Sequence, residues 1–333
     1  MPMDAIRYVQ VASLRKRLRT QLSPVVFLHG FPDSPDMFQA YHSPEERNES
    51  WLKERNVYAI ALPNRQTNPI VPSLADLMAD TLYKEFTVQM DALIKESPSG
   101  KLILVAHDWG AAYAWRYIKD KGDACIERMV ALSVAPSPRF DIWEHGVRAL
   151  GWSYRMLFSI PYYIPASSRA LGWALTHIAG YEGSDLRHLS KDCYHYWDGI
   201  AWPFLAPLTL LGLVQKPEER LDFTFPILFI RAPMDRFATT EAFEDMLARR
   251  AGCRLIILSP ECNHWFPAQQ SELVLWELRS FLAPEVEVKK SVRAGAQSES
   301  KARRKTSSAG ESAAAAGKKK KKSKPQQPAA TRH

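Results

Sequence analysis

Residues Leu102–Gly110 read LILVAHDWG, and this stretch decides the fold class of the chain. Its uncharged apolar run predicts a strand that is buried on both faces, as strands of a parallel sheet are. The helical sequence AAYAWRYIKD begins directly afterwards, at Ala111. A strand that passes into a helix with almost no loop needs small residues around the turn, because larger side chains would clash. Ala106 and Gly110 meet this need and leave Asp108 at the turn.

The turn at Asp108 has the spacing of a nucleophile elbow. In an elbow, small residues flank the central residue at minus two and plus two, and the central side chain projects from the end of the strand. Here the pattern is small-x-Asp-x-small. Asn or Gly would form a plain turn more easily than Asp does. We therefore take the Asp108 carboxylate as a candidate nucleophile.

Apolar runs alternate with helical patterns along the first 284 residues. The runs lie at Val25–Leu28, Val57–Leu62, Leu102–Val105, Met129–Val134, Ile227–Ile230 and Leu255–Leu258. Ser73 is a candidate cap for one helix over residues 74–96, Thr239 or Thr240 for another, and residues 270–282 form a last helix. This alternation predicts an α/β fold, with a mostly parallel sheet flanked by helices on both faces.

One long segment, residues 137–223, interrupts the alternation. It is helical in pattern and rich in Trp and Tyr. We predict a core over residues 1–136 and 224–284, with residues 137–223 inserted as a helical cap. Open α/β sheets bind ligands at the carboxyl edge of their strands, and the cap is expected to close over that edge. A dry, apolar pocket should result.

The charge of the chain is concentrated at its C-terminal end. The net charge is +8, and residues 285–333 contain 14 Lys and Arg against 4 Asp and Glu. This local charge of +10 leaves −2 for the first 284 residues. We predict a disordered basic tail over 285–333, because its low-complexity sequence cannot bury enough apolar surface to fold. Its basic clusters are suited to contact with nucleic acid, anionic lipid or the nuclear import machinery. The alternative is a tail that is only solvated and binds no partner.

Other sequence features bear on location and cofactors. No stretch approaches the roughly 20 apolar residues that span a bilayer, and the N-terminus lacks an apolar signal region. The four cysteines are scattered without metal-type spacing. We expect a cytoplasmic protein, with nuclear entry through the basic tail as the alternative, and neither a metal nor an organic cofactor. Its oligomeric state stays open.

Two further side chains follow strands in the order that an elbow nucleophile requires. Asp235 follows the run ILFIR, and His264 follows the run RLIIL, so the order is nucleophile, acid, histidine. His264 is the candidate base, and Asp235 would hold its tautomer. The backbone N–H groups of Phe31 and Trp109 are candidates for an oxyanion hole.

These motifs resemble the α/β-hydrolase superfamily. The sequences HGFPDS at 29–34, HDWG at 107–110, NHWF at 263–266 and the Asp235 loop carry the resemblance, which covers roughly residues 5–284. Within the superfamily the chain resembles the epoxide hydrolases and haloalkane dehalogenases, which use an Asp nucleophile.

A carboxylate nucleophile restricts the chemistry. Attack on an acyl carbon would form an unfavourable mixed anhydride, whereas attack on a saturated carbon forms an alkyl ester. Water activated by His264 would then hydrolyse the ester on Asp108. Asp108 therefore argues against esterase, lipase or peptidase activity, and favours the opening of an epoxide or the cleavage of a carbon–halogen bond.

The resemblance implies two cap tyrosines that donate a proton to an epoxide oxygen. Tyr154, in YRMLFSIP, matches the first of them. Tyr194 or Tyr196, in CYHYWDG, is the second, and Tyr196 aligns better. Haloalkane dehalogenases typically have Asn at the position of Phe31. The expected function is therefore hydrolysis of a small lipophilic epoxide to a diol by water.

Two alternatives stay open. One is a haloalkane dehalogenase that uses the same Asp108 nucleophile. The other is a non-catalytic ligand-binding or scaffold protein with this fold. The presence of Asp108, Asp235 and His264 together argues against the second, because a protein without activity has no need of all three.

Overall fold

The fold is built on one sheet, to which the described part of the chain contributes seven strands in the order β1-β3-β2-β4-β5-β6-β7. The structure is a computed structural model, and it describes residues 7–12, 22–62, 71–136, 153–183, 186, 189–201 and 222–283. The strands are β1 Arg7–Ala12, β2 Val25–Leu28, β3 Val57–Ala61, β4 Leu102–His107, β5 Ile126–Leu132, β6 Ile227–Arg231 and β7 Arg254–Ile257. Strands β2 to β7 pair with one another in parallel. The predicted mostly parallel sheet is confirmed.

Strand β1 was missing from the sequence prediction. It pairs antiparallel with β3 at the edge of the sheet. Its sequence RYVQVA is short and contains no continuous apolar run, as suits an edge strand with only one neighbour. The six predicted strands are all present, with ends that differ by up to three residues.

Helices cover both faces of the sheet. The helices of the described residues are α1 Leu74–Met78, α2 Thr81–Glu96, α3 Trp109–Lys121, α4 Ser153–Tyr163, α5 Ser168–His177, α6 Glu241–Arg249, α7 Phe266–Gln269 and α8 Ser271–Leu282; α2, α3, α6 and α8 pack on the sheet. Alternate strand residues enter two separate cores. Leu104 packs with residues of α2, α3 and α6 on one face, and Val105 packs with residues of α8 on the other. Strand β4, between these layers, is buried along its whole length.

The helix predicted over residues 74–96 is in fact two helices. Ser73 caps α1 in a capping box with Asp76, but the chain turns at Asp80, whose φ of 60° and ψ of 30° are left-handed. Asp can adopt this conformation better than most residues. The turn lets the Asp80 carboxylate bind the Arg116 guanidinium of α3, a contact that the local pattern does not reveal. At α6, Thr240 rather than Thr239 is the cap.

Between β5 and β6, the described residues form helices and no strand. They contain α4, α5 and the 3-10 helices Pro165–Ser167, Leu189–Lys191 and Cys193–Ala201. Residues 137–152 and 202–221 of the predicted cap lie outside the described residues, as does the predicted tail over 285–333, so these boundaries stay predictions. None of the described helices is long and apolar enough to cross a membrane.

Candidate active site

The elbow between β4 and α3 holds Asp108 in a strained backbone conformation. Its φ is 48° and its ψ is −120°. Neighbouring glycines allow the chain to pack closely here. A Cβ atom on Gly110 would lie 2.5 Å from the carbonyl oxygen of His29, and one on Gly30 would lie 2.6 Å from Asp108 Oδ2. The start of α3 therefore lies directly against the end of β2.

The two backbone amides predicted for the oxyanion hole both act on the Asp108 carboxylate. The Phe31 N–H donates to Asp108 Oδ2 at 2.8 Å, and the Trp109 N–H helps to lower the pKa of the carboxyl group. Burial raises the pKa of Asp108, and this effect exceeds the lowering by His264 and by the two N–H groups. Because Oδ2 is held by an amide, Oδ1 is the oxygen that is available to react.

The structure also brings His264 and Asp235 to Asp108. His264 Nδ1 lies 2.8 Å from Asp235 Oδ1, and His264 Nε2 lies 3.7 Å from Asp108 Oδ1. Asp235 follows β6 and His264 follows β7, so both come from loops at the carboxyl ends of strands. The Asp235 side chain is only 1% exposed. This contact orients the imidazole with Nε2 toward the elbow.

The charge state of His264 depends on its acidic neighbours. Burial alone would lower the pKa of its imidazole, but Asp235, Asp108 and Asp33 attract the positive form and raise the pKa to about 9. With Asp108 ionised, His264 therefore carries a proton at neutral pH. Any reaction that neutralises Asp108 removes one of these anions and favours the neutral base.

Two other histidines near the elbow have structural contacts. His107 Nε2 donates to the carbonyl oxygen of His264 at 3.0 Å, and His29 Nε2 accepts the N–H of Leu62 at 3.0 Å. Burial lowers the pKa of His29 to about 4 and that of His107 well below its usual value. Both rings are therefore neutral at neutral pH, and they support the loops that carry Phe31 and His264.

A cavity of about 350 Å³ opens beside these groups. Tyr154 of α4 and Tyr196 of the helix Cys193–Ala201 line it together with Asp108 and His264. Most of the remaining wall is apolar, from Phe31, Trp109, Val134, Phe158, Leu175, Met234 and Trp265. The cavity suits a small lipophilic molecule that meets a carboxylate and two phenols.

Tyr196 and Tyr194 occupy different places. The Tyr196 ring packs 5.1 Å from the ring of Phe31 and 5.9 Å from that of Tyr154, measured between centroids. Burial, and then the negative charge of Asp108, raise the pKa of Tyr196 well above its usual value, so it stays a proton donor. Tyr194 instead lines a second cavity of about 290 Å³, beside Tyr113. The sequence left this choice open, and the structure puts Tyr196 in the Asp108 cavity.

Three residues with polar groups in or near the site, Arg155, Trp265 and Asp33, were not identified from the sequence. Arg155 lines both cavities, and its guanidinium lies 5.7 Å from the centre of the Trp109 ring. Trp265 lines the Asp108 cavity, and its buried indole N–H has no hydrogen-bond partner among the described residues. Asp33 contributes to the raised pKa of His264. Arg155 directly follows Tyr154, and Trp265 directly follows His264. This adjacency is the only signal for these two residues in the local sequence.

The described residues contain no group of three or more His, Cys, Asp or Glu placed to hold a metal ion. The site itself presents a buried carboxylate, an imidazole paired with a second carboxylate, two backbone amides and two phenols. This arrangement can perform nucleophilic attack followed by hydrolysis.

Comparison with known proteins gives the family. Residues 25–275 match the family model described as the alpha/beta hydrolase family. Among solved structures, the chain is similar to an epoxide hydrolase from Bacillus megaterium, with a TM-score of 0.58 and 16% identity over 84% of this chain and 97% of that chain. It is similar to MenH from S. aureus, with a TM-score of 0.54 and 16% identity over 84% and 98% of the two chains.

A thermophilic esterase from Thermogutta terrifontis is a further similar structure, with a TM-score of 0.51 and 15% identity over 83% of this chain and 92% of that chain. Identities this low show a shared fold and do not select one activity. The family model, by contrast, spans most of the chain. The chain therefore belongs to the alpha/beta hydrolase family.

Proposed function

We propose that the protein hydrolyses a lipophilic epoxide to a diol through a covalent ester on Asp108. One observation carries the proposal: a carboxylate stands at the elbow, in a cavity that also presents the phenols of Tyr154 and Tyr196. A carboxylate forms a useful intermediate by attack on saturated carbon, and a departing epoxide oxygen needs a proton donor. Family membership supports a hydrolase, and the residues of the site carry the narrower assignment.

In the first step, Asp108 Oδ1 attacks an epoxide carbon and the bond from that carbon to the ring oxygen breaks. The ring oxygen takes a proton from Tyr196 or Tyr154 and becomes a hydroxyl group. The product is a hydroxyalkyl ester of Asp108. Because the ester is uncharged, the pKa of His264 falls from its raised value, and the imidazole can then give its proton to the tyrosinate, which restores the phenol and leaves His264 as a base.

In the second step, His264 takes a proton from water, and the resulting hydroxide adds to the carbonyl carbon of the Asp108 ester. The N–H groups of Phe31 and Trp109 stabilise the oxyanion that forms. The ester bond breaks, the leaving alkoxide takes the proton from His264, and the diol departs. The carboxylic acid proton left on Asp108 then returns to His264, so the starting protonation states are restored and one water is added to one epoxide.

A second candidate is a haloalkane dehalogenase with the same nucleophile. A departing halide needs N–H donors rather than an acid. The buried indole N–H of Trp265, which lacks a partner among the described residues, favours this candidate. Phe31, which stands where dehalogenases typically have Asn, and the pair of tyrosines favour the epoxide.

The test is the intact mass of a His264→Gln variant after incubation with a panel of lipophilic epoxides and haloalkanes. Without the base, the second step should stall and leave the ester on Asp108. A mass gain equal to a whole epoxide supports the proposal, and a gain of an alkyl group without halogen supports the dehalogenase. The matched control is the double variant Asp108→Asn/His264→Gln, which should gain no mass.

An adduct that persists in the double variant would place the nucleophile elsewhere. No adduct with any compound, together with no turnover by the wild-type protein, would overturn the proposal in favour of a ligand-binding protein.

A further inference from the structure

Helix α4 is apolar on two faces, of which only one lines the cavity. Its inner face carries Tyr154 and Phe158, beside Asp108. The exposed apolar residues of its outer face, including Ile164 just beyond its end, are Met156, Leu157, Ile160, Tyr163 and Ile164. Their spacing of one, four, seven and eight residues from the first puts them on one side of the helix. A helix that is apolar all round is normally covered on both sides.

Helix α5, which contacts α4, adds further exposed apolar groups. Trp173 is 58% exposed, and Ile178, just after the helix, is 75% exposed. Of the sixteen large exposed apolar side chains in the described residues, seven lie between Met156 and Ile178. Such a concentration marks a binding surface rather than scattered exposure. We call these seven residues the apolar patch.

The charges around the apolar patch are basic. Helices α4 and α5 contain no Asp or Glu, and α5 carries the exposed side chains of Arg169 and His177, the second stacked on Trp173. Apart from these helices, residues 285–333 of the same chain carry a net charge of +10. Apolar faces with Trp, Tyr and Leu, flanked by Arg or Lys, are typical of segments that lie in the interface of a membrane. Anionic lipid complements this combination of charge and apolar surface.

We propose that the apolar patch docks on an anionic lipid bilayer, with the basic residues 285–333 adding electrostatic attraction. The inner face of α4 lines the cavity, while its outer face would lie in the bilayer surface. This inference goes beyond the proposed reaction and does not depend on it, because docking uses the exposed side chains of α4 and α5 and not the Asp108 site.

The test is co-sedimentation of the full-length protein with vesicles of phosphatidylserine and phosphatidylcholine in equal amounts. The variant Ile164→Glu/Trp173→Glu should lower the partition coefficient by about tenfold, because both side chains would have to leave the lipid. The control Leu273→Glu/Trp276→Glu changes one aliphatic and one Trp side chain, exposed by 43% and 64% on α8, and adds the same charge. It should bind like the wild-type protein.

Further measurements distinguish docking of the apolar patch from binding by the basic tail alone and from self-association of the protein. The variant Ile164→Ser/Trp173→Ser removes the apolar groups without adding charge, and it should also bind more weakly while keeping the unfolding midpoint of the wild type. Equal binding by patch and control variants would overturn the proposal, because the basic tail alone would then account for it. Self-association of the wild type without vesicles, lost in the patch variant, would also overturn it, since a second copy of the chain would cover the patch.

Discussion

Asp108 combines an unfavourable backbone conformation with an unfavourable place for a charge. Its positive φ costs about 1–3 kcal/mol for a residue other than glycine, and burial raises the pKa of its carboxyl group. Both effects oppose folding, so the contacts with the Phe31 N–H and with protonated His264 must offset them. Because both the backbone conformation and the burial of Asp108 lower stability, the presence of Asp at this position is better explained by its reactivity.

We expect the pKa of His264 to be about 9 in the wild-type protein and lower in Asp108→Asn. The sign follows from charge: an anion at Asp108 stabilises the imidazolium, so its removal makes proton loss easier. NMR titration of the imidazole measures both values. Asp245→Asn, at an exposed ion pair with Arg249, is the control and should leave the value unchanged. The same pKa in the wild type and Asp108→Asn would refute the electrostatic coupling on which the second step depends.

Tyr196→Phe should lower kcat for epoxide opening by about 10²-fold, because it removes a proton donor from the cavity. Tyr194→Phe is the matched control. Its ring lies in the neighbouring cavity, so its kcat should stay close to that of the wild type. Steady-state kinetics on a substrate found in the adduct panel measures both. Equal losses in the two variants would contradict the assignment of Tyr196 as a donor.

At the scale of elements, Asp80 has a left-handed backbone conformation and divides the helical sequence pattern of residues 74–96 into two helices. Asp80 turns the chain between α1 and α2, and its carboxylate binds Arg116 of α3. The pair is about half exposed, so its attraction contributes little to stability. The backbone conformation is therefore the larger reason for Asp at this position.

Substitutions at Asp80 should separate these two contributions. Asp80→Asn removes the charge but keeps a residue that accepts left-handed backbone, so it should lower the free energy of unfolding by less than about 1 kcal/mol. Asp80→Ala should lower it by about 1 kcal/mol more, because a Cβ-bearing residue without a polar group is strained there. Urea unfolding measures both. Equal stability of the two variants would show that the turn carries no strain.

At the scale of the whole molecule, contacts between distant parts of the chain hold the layers together. The Tyr41 hydroxyl donates to the carbonyl oxygen of Pro267 at 2.6 Å. Buried Glu46 binds the guanidinium of Arg279 on α8 and accepts the indole N–H of Trp51 at 3.1 Å. These bonds attach the segment after β2 to the helices after β7, on the face of the sheet that α8 covers.

Glu46→Gln should lower the free energy of unfolding by about 1–3 kcal/mol, because Arg279 loses its anion and the bonds to a buried carboxylate weaken. Asp245→Asn breaks the exposed pair with Arg249 and should change it by less than about 0.5 kcal/mol. Urea unfolding measures both, and kcat should be unaffected because neither residue lines the Asp108 cavity. If Glu46→Gln lowers the free energy of unfolding no more than Asp245→Asn does, the contact between Glu46 and Arg279 does not hold the layers together.

The sequence by itself determined the parallel strands, the elbow at Asp108, and the order of Asp235 and His264. These features depend on local patterns: apolar runs, small residues around one turn, and polar residues directly after strands. Parallel strands bring their carboxyl ends to one edge, so the order of residues was enough to predict which side chains meet there.

Only the tertiary structure decided the remaining features. Packing against Phe31 and Tyr154 puts the Tyr196 ring in the Asp108 cavity, whereas Tyr194 lies in the neighbouring one. The edge strand β1 depends on its pairing with β3, which is distant in the chain and therefore absent from a local pattern. The raised pKa of His264 likewise comes from three carboxylates that only the fold assembles, because electrostatic attraction depends on distance in space and not on separation in sequence.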